Sequence, residues 1–411
     1  MDVRLKTLMG TALLSLAIGG AAYAGGFSRG TADTDILYED GNFNMRSGVT
    51  YVSPHREFSR NPNPRLVGTR YTEDYVIPSA AIKINLSDNL RCAGTFVNNI
   101  GGSAKYEFPA ASGKVLEEFT TYETAATCAL GFDVGPGRLW VLGGGFGETL
   151  DYLRKDSYAA VGLGEGVLDL EGQKYGYRIG AAYEIPEIAL RGQIMYRSGT
   201  DYGAEGTATA PRGVLYMALK NQGVPDVFNP FAGGNPLQST PLDAYGVGSL
   251  PQSVELKFQT GIAPDWLAFG AVKWTDWSSL TRLDVRSVEG DMLLLSDEYY
   301  WRDGWTVTGG LGHKFNDTFS GLVSLTWDRG VSTGYDLQGD VYTAAVGVTM
   351  KDRIGGELRG GVGLSYLASV AETKYGVNPN ITDSDLDGRH GDQAVKAGYA
   401  FAFNLGYSLK W

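Results

Sequence analysis

The sequence predicts an all-β fold: a transmembrane antiparallel β-barrel of 14 strands with an N-terminal plug, or hatch, segment. Three observations carry that prediction. Gly supplies 58 of 411 residues, about 14% against a usual ~7%, and Tyr supplies 24. Such a composition suits extended, turn-rich structure better than long helices. Segments of roughly ten residues alternate apolar with small or polar side chains, the period of a strand with two unlike faces. The connections between them alternate as well, tight turns with long loops, the rhythm of an outer-membrane barrel.

The elements follow in order. Residues 1–24 read as a secretory signal peptide. Arg4 and Lys6 form the basic start, Leu8 to Ile18 the apolar stretch, and Ala22-Tyr23-Ala24 the small-residue cleavage site. Residues 25–46 are polar and Gly-containing, with Asp33, Asp35, Glu39 and Asp40, and are expected to fold back as a hatch. Residues 47–411 form the barrel. Strands are expected near 46–57, 75–86, 89–98, 118–133, 137–148, 172–184, 188–197, 252–262, 266–275, 303–313, 317–327, 339–350, 356–367 and 399–411. Turns such as Ser87-Asp88, Gly135-Pro136 and Ala263-Pro264-Asp265 separate them on one rim. Long connections at 58–74, 99–117, 149–171, 198–251, 276–302, 328–338 and 368–398 lie on the other. An even strand count puts both ends of the barrel on the short-turn rim, expected to be periplasmic. The last strand is the clearest: Tyr399, Phe401, Phe403, Leu405, Tyr407, Leu409 and Trp411 share one face. A terminal strand of that kind is the signal expected by the barrel-assembly machinery. Trp266, Trp274, Trp305, Trp327, Tyr175 and Tyr183 fall near strand ends, where rings anchor at the lipid boundary.

Charge and residue counts exclude several functions. Thirty-five basic residues against 46 acidic ones give −11, which argues against a general nucleic-acid binder. Two Cys and three His cannot build a Cys-rich zinc module. Gly330-Val331-Ser332-Thr333-Gly334 spells G-x-S-x-G, but it falls between strands, without the strand–turn–helix setting a nucleophile elbow needs. Asp383-Ser384-Asp385-Leu386-Asp387-Gly388 starts like a calcium loop, yet the twelfth position is Ala394 where a bidentate Glu belongs. No enzyme, cofactor or metal site is therefore expected. Cys92 and Cys128 fall on the outward face of neighbouring strands, opposite each other if the hairpin register centres on residue 110. A disulfide and two small lipid-facing residues both satisfy that pattern.

Residue motifs then point to a family. Leu250-Pro251-Gln252-Ser253-Val254-Glu255-Leu256, followed by Trp274-Thr275-Asp276-Trp277-Ser278, resembles paired strand motifs of the FadL family of outer-membrane transporters for long-chain fatty acids and other hydrophobic compounds. Tyr196-Arg197-Ser198 and Trp301-Arg302-Asp303 resemble two further motifs of that family. The resemblance implies fourteen strands and a hatch. It also implies capture of a hydrophobic ligand by extracellular loops, binding in the lumen, and release into the bilayer at a kink in the third strand. Residues that would serve capture are Tyr158, Val161, Leu168, Leu215, Met217, Leu219, Phe228 and Phe231. A carboxylate head would be met by Arg302 or Arg154, since guanidinium binds carboxylate bidentately. Asn98, Asn99, Gly101 and Gly102 mark the place where the third strand could open. The expected function is passive uptake of long-chain fatty acids by a monomer in the Gram-negative outer membrane, among lipid and lipopolysaccharide. The alternatives are a channel for other hydrophobic compounds such as aromatic hydrocarbons, a nonspecific porin, or a surface-binding protein.

Overall fold

A computed structural model describes residues 25–372 and 393–411. Residues 1–24, expected to be a signal peptide, and the acidic stretch at 383–388 lie outside the described residues. Fourteen antiparallel strands close into a barrel: β1 (Phe43–His55), β2 (Tyr75–Asn85), β3 (Leu90–Lys105), β4 (Lys114–Val134), β5 (Gly137–Ser157), β6 (Glu165–Ile185), β7 (Leu190–Arg197), β8 (Ser253–Ala263), β9 (Trp266–Thr275), β10 (Gly304–Lys314), β11 (Phe319–Asp328), β12 (Val341–Lys351), β13 (Glu357–Leu367) and β14 (Gly398–Lys410). Each pairs with the next in sequence, and β14 closes on β1 with Asn44 opposite Lys410 and His55 opposite Tyr399. Closure leaves no edge strand, so every spanning residue can satisfy its backbone groups within the sheet. No helix among the described residues is long and apolar enough to cross a membrane.

The two faces follow from the alternation. Tyr399, Phe401, Phe403 and Leu405 project outward and are exposed, while Ala400 between them is buried. The inside holds charged and hydroxylated side chains, including Lys83, Glu123, Glu148, Arg178 and Lys257, all buried. Phe43 lies opposite Ile84 beside the short β2–β3 turn, and Trp411 hydrogen-bonds to Phe43, so both barrel ends share the short-turn rim.

Three expected boundaries shift. The first strand begins at Phe43, inside the segment assigned to the hatch, because Phe43–Arg46 pair with β2 as well as β14. The loops expected at 99–117 and 149–171 shrink to 106–113 and 158–164, because β4, β5 and β6 each run for 21 residues. Their upper halves keep the ladder (Lys114 opposite Asp156, Asp156 opposite Gly166), with Phe119, Leu150, Tyr152, Leu168 and Leu170 buried on one face and Asp151, Asp169 and Glu171 exposed on the other. The outward face turns polar where lipid gives way to water, and the backbone pairing continues. Finally, the connection 198–251 is built, not open. It carries strands Thr200–Pro211 and Ser239–Leu250 around helix α1 (Arg212–Asn221), and these extend β6 into a side sheet with Arg282–Ser287 and Leu293–Glu298.

The segment before β1 runs among inward-facing residues. A 3₁₀ turn at Thr34–Tyr38 buries Ile36, Leu37 and Tyr38 against Ala81, Ala93, Trp140, Leu142 and Met195 from four strands. The Tyr38 hydroxyl donates to Gln193 Oε1 at 2.7 Å. Lys257 pairs with Asp35 at 3.2 Å, and Lys83 Nζ donates to the carbonyls of Glu39 and Gly41. Arg46 holds both Asp33 and Glu39.

Candidate functional site

Toward the long-loop rim the lumen widens into a cavity of about 440 Å³. That volume lies in the usual range for small-molecule pockets, roughly 300–1,000 Å³. Aromatic side chains contribute part of its wall. Phe27 of the N-terminal segment sits at the centre of a ring cluster, 4.8 Å from Trp301, 5.3 Å from Phe119, 5.7 Å from Tyr299 and 6.1 Å from Trp277 between centroids. These separations are those of favourable edge and tilted ring pairs. Phe58, Tyr71 and Tyr106 stack on the opposite side, with Phe58 and Tyr71 4.5 Å apart.

The cavity's cations are already matched. Two cations line it, Lys114 and Arg154. Lys114 pairs with Glu117 at 2.5 Å, and Glu117 also accepts from the Tyr152 hydroxyl at 2.8 Å. Arg154 is held by Asp156 at 3.0 Å and Asp297 at 3.1 Å. Burial works to raise the Asp297 carboxyl, but the charges of Lys114 and Arg154 prevail and hold it below the usual carboxylate range. Asp336 moves the other way. Burial raises it, against the amide of Leu337 and the charge of Lys114, with the indole N–H of Trp301 a smaller opposing influence.

Below the cavity the lumen is crossed by an ion-pair lattice. Glu123 on β4 binds Arg178 of β6 and Arg197 of β7, and Arg197 reaches on to Glu148 of β5 at 2.7 Å. Thr200 Oγ1 and Asn99 Nδ2 add hydrogen bonds to the same Glu148. Such a lattice is stable where it is fully paired, and it opposes the passage of an apolar group that would separate its charges.

The third strand carries a structural irregularity. A β-bulge at Asn98/Ile100 sets Asn99 outside the register with β4. On the other side, the β2–β3 ladder ends at Ser79 opposite Val97, beside Pro78, which has no N–H to donate. Pairing resumes only at an isolated bridge between Thr72 and Ala104. Between these points the N-terminal segment takes the place of β2. Arg29 N donates to Asn99 O at 2.9 Å, Gly30 N to Asn98 O at 3.0 Å, and Gly101 N to Phe27 O at 2.8 Å. Arg29 Nη1 also donates to Asn98 Oδ1, and the guanidinium lies over the Tyr75 ring. Gly allows the close approach here. A Cβ on Gly101 would come within 2.5 Å of the Arg29 guanidinium, and one on Gly102 within 2.9 Å of the Phe27 ring.

The sequence candidates separate on this geometry. Arg154 lines the cavity, already paired. Arg302 does not line it; its guanidinium is exposed and Nε donates to the Gly330 carbonyl at 2.9 Å. Leu215, Leu219 and Phe231 pack on one another in the loop around α1, and Leu168 is buried in the side sheet. Tyr158 is part-buried beside the 159–161 turn. Val161, Met217 and Phe228 are exposed, as is Val227. Asn98, Asn99, Gly101 and Gly102 form the strand irregularity just described. Cys92 and Cys128 are directly opposite each other on β3 and β4 and are joined in a disulfide. Sequence reasoning missed the cavity's acidic residues and the role of Pro78. A proline inside an alternating strand was a legible signal for the latter. His55 and His313 stack on Tyr399 and Trp266, and Ser332 of the G-x-S-x-G stretch donates to the Asp336 carbonyl.

Comparison with known proteins follows the same lines. Residues 166–322 match the family model described as outer membrane protein transport protein (OMPP1/FadL/TodX). The fold is similar to the crystal structure of a Pseudomonas aeruginosa FadL homologue (TM-score 0.70, 16% identity, covering 96% of this chain and 98% of that one). It is also similar to the CymD monoaromatic hydrocarbon channel (TM-score 0.63, 12% identity, 98% of each chain) and the Pseudomonas putida toluene transporter TodX (TM-score 0.60, 12% identity, 97% of each). The Salmonella typhi long-chain fatty acid transport protein is 26% identical over 154 residues, which are 38% of this chain and 33% of that relative. This chain thus aligns with about a third of that relative's length. The fold is thus that of these outer-membrane β-barrels, and residues 166–322 carry the sequence match to the OMPP1/FadL/TodX model.

Proposed function

We propose that the chain is a passive outer-membrane channel for hydrophobic compounds that carry no carboxylate, with aromatic hydrocarbons the leading class. The observation that carries this reading is the pairing of both cavity cations. Lys114 and Arg154 are neutralised by Glu117, Asp156 and Asp297, so an incoming carboxylate would be desolvated without gaining a cation. An uncharged ring gains about 25 cal/mol for each Å² of apolar surface it buries among Phe27, Phe119 and Tyr299. The printed names of the CymD and TodX structures support the same class of ligand.

In this reading the long-loop rim faces the outside and the termini the periplasm. Val161, Met217, Val227 and Phe228 offer the first apolar contact. Residues 25–42 act as a hatch, and the lattice of Glu123, Arg178, Arg197 and Glu148 opposes axial passage. The ligand leaves sideways, where β2 and β3 are unpaired and Phe27–Gly30 fill the seam. The chain works as a monomer, inserted by the barrel-assembly machinery through its terminal aromatic strand.

A second reading, uptake of long-chain fatty acids, is supported by the Salmonella typhi relative. Uptake of labelled toluene and labelled oleate by cells lacking their own transporters tests the two. Toluene entry exceeding oleate entry at least fivefold is expected. Faster oleate entry would replace the first reading by the second, and entry of neither by a correctly inserted barrel would overturn both.

A further inference from the structure

Among the described residues, one carboxylate of the cavity wall has no ion-pair partner. Glu117, Asp297, Glu298 and Asp336 line the cavity with Lys114 and Arg154. Glu117 is engaged by Lys114, Asp297 by Arg154, and Glu298 by Arg282 at 3.1 Å. Asp336 is different. The side-chain hydrogen bonds it accepts come from Trp301 Nε1 at 3.1 Å and the Leu337 amide at 2.6 Å, both uncharged donors.

Asp336 also has a particular neighbour. The indole that donates to it packs edge-on or tilted against Phe27 and Tyr299, at 4.8 and 5.0 Å between centroids. Asp336, Phe27 and Tyr299 all face the cavity. A carboxylate thus stands one indole away from two π-faces, inside a pocket that also presents the apolar side chains of Leu250, Leu280, Leu283 and Leu295. Carboxylate plus aromatic faces is the chemistry that receives an organic ammonium: the anion supplies charge, and the ring quadrupoles attract the N–CH₂ and N–H edges.

Resting on the reading that carboxylate-free hydrophobic compounds enter this cavity, we propose that it selects for the polar end as well, taking hydrophobic primary amines with the ammonium at Asp336 and the hydrocarbon body among the rings. An alcohol of the same body fits but gains no charge pairing. A carboxylate of the same body is repelled.

Calorimetric titration of the full-length barrel in a non-ionic detergent tests this with 4-butylbenzylamine, 4-butylbenzyl alcohol and 4-butylbenzoate. The amine is expected to bind at least tenfold more tightly than the alcohol, and the alcohol at least tenfold more tightly than the carboxylate. Raising the salt concentration should narrow the amine's advantage without changing the alcohol's affinity. Asp336→Asn should bring amine and alcohol within twofold of each other. The ranking and its salt dependence are read on the wild type, so the result stands even if that variant folds poorly. Equal binding of amine and alcohol overturns the inference and leaves the channel for hydrophobic compounds standing. Binding of none of the three overturns that channel reading itself. Preference for the carboxylate returns the cavity to an acid ligand and overturns both.

Discussion

Arg154 and Asp297, separated by 143 residues, meet through paired N–H···O contacts of 3.1 and 3.2 Å at the wall of the lumenal cavity. The first comes from the far end of β5, the second from the strand Leu293–Glu298 in the connection between β9 and β10. Their pairing joins barrel wall to loop, and it removes the cation a carboxylate ligand would seek.

Releasing that cation should change ligand preference. Asp297→Asn leaves Arg154 with Asp156 alone. Decanoate is expected to bind about tenfold more tightly to this variant, equivalent to ~1.4 kcal/mol. Competition against a fluorescent probe measures it, and unchanged decanoate binding would show that Arg154 is not what limits acid ligands.

Arg302 should be silent in the same measurement. Its guanidinium binds the Gly330 carbonyl away from the cavity. Arg302→Ala is expected to leave uptake of toluene and oleate within twofold of wild type. A marked loss of oleate uptake alone would restore Arg302 as a head-group site.

The strand seam gives a third prediction. Ser28 and Ile100 face each other in an isolated antiparallel bridge, close enough for a disulfide when both are replaced by Cys. The Ser28→Cys/Ile100→Cys variant is expected to lose at least tenfold in uptake when oxidised and to recover on reduction. Uptake that is equal in both states would place the exit elsewhere.

Acid should act on the two loop carboxylates in opposite senses. Asp297 titrates lower folded than unfolded, so its stabilisation is present above its unfolded value, ~3.9, and is lost as pH falls through the lower folded value. Asp336 titrates higher when folded. Its proton-linked stabilisation is present below ~3.9 and is lost as pH rises through the raised value. Thermal unfolding followed by gel mobility should show Asp297→Asn destabilised relative to wild type at neutral pH, with the difference vanishing in strong acid. The Asp336→Asn variant should compare best with wild type at neutral pH and less well in acid.

The Cys92–Cys128 bond closes a sequence separation of 36 residues on the outward face. Chain entropy for a loop of this size is worth about 3–4 kcal/mol. Replacing both by Ala should lower the unfolding temperature and leave uptake unchanged, because neither side chain faces the lumen. Thiol labelling of the unreduced wild type should find no free thiol.

Much of this architecture was written locally. The alternation of Tyr399 through Trp411, turns such as Gly135-Pro136, and the spacing between strands are short-range consequences of lipid on one side and a polar lumen on the other. The placing of Cys92 opposite Cys128 was only conditional in the sequence, because the Asn98/Ile100 bulge shifts the β3–β4 register by one residue between the turn and the cysteines. The extension of β4, β5 and β6 beyond the membrane was missed, because the outward face there is polar, as at Asp169 and Glu171, and reads like loop although Leu168 and Leu170 still alternate into the interior.

The site itself was settled only in three dimensions. The sequence favours Arg302, through its Trp301-Arg302-Asp303 motif, over Arg154, and only folding brings Arg154 to the cavity against Asp297 while turning Arg302 to a backbone carbonyl. Phe27 meets Trp277, Tyr299 and Trp301 from the far end of the chain, and no local pattern encodes that contact. Strand periodicity is a property of neighbours in sequence and can be read one segment at a time. The charge balance of a cavity is a sum over residues from many strands and loops, and closure of the barrel decides which of them share it.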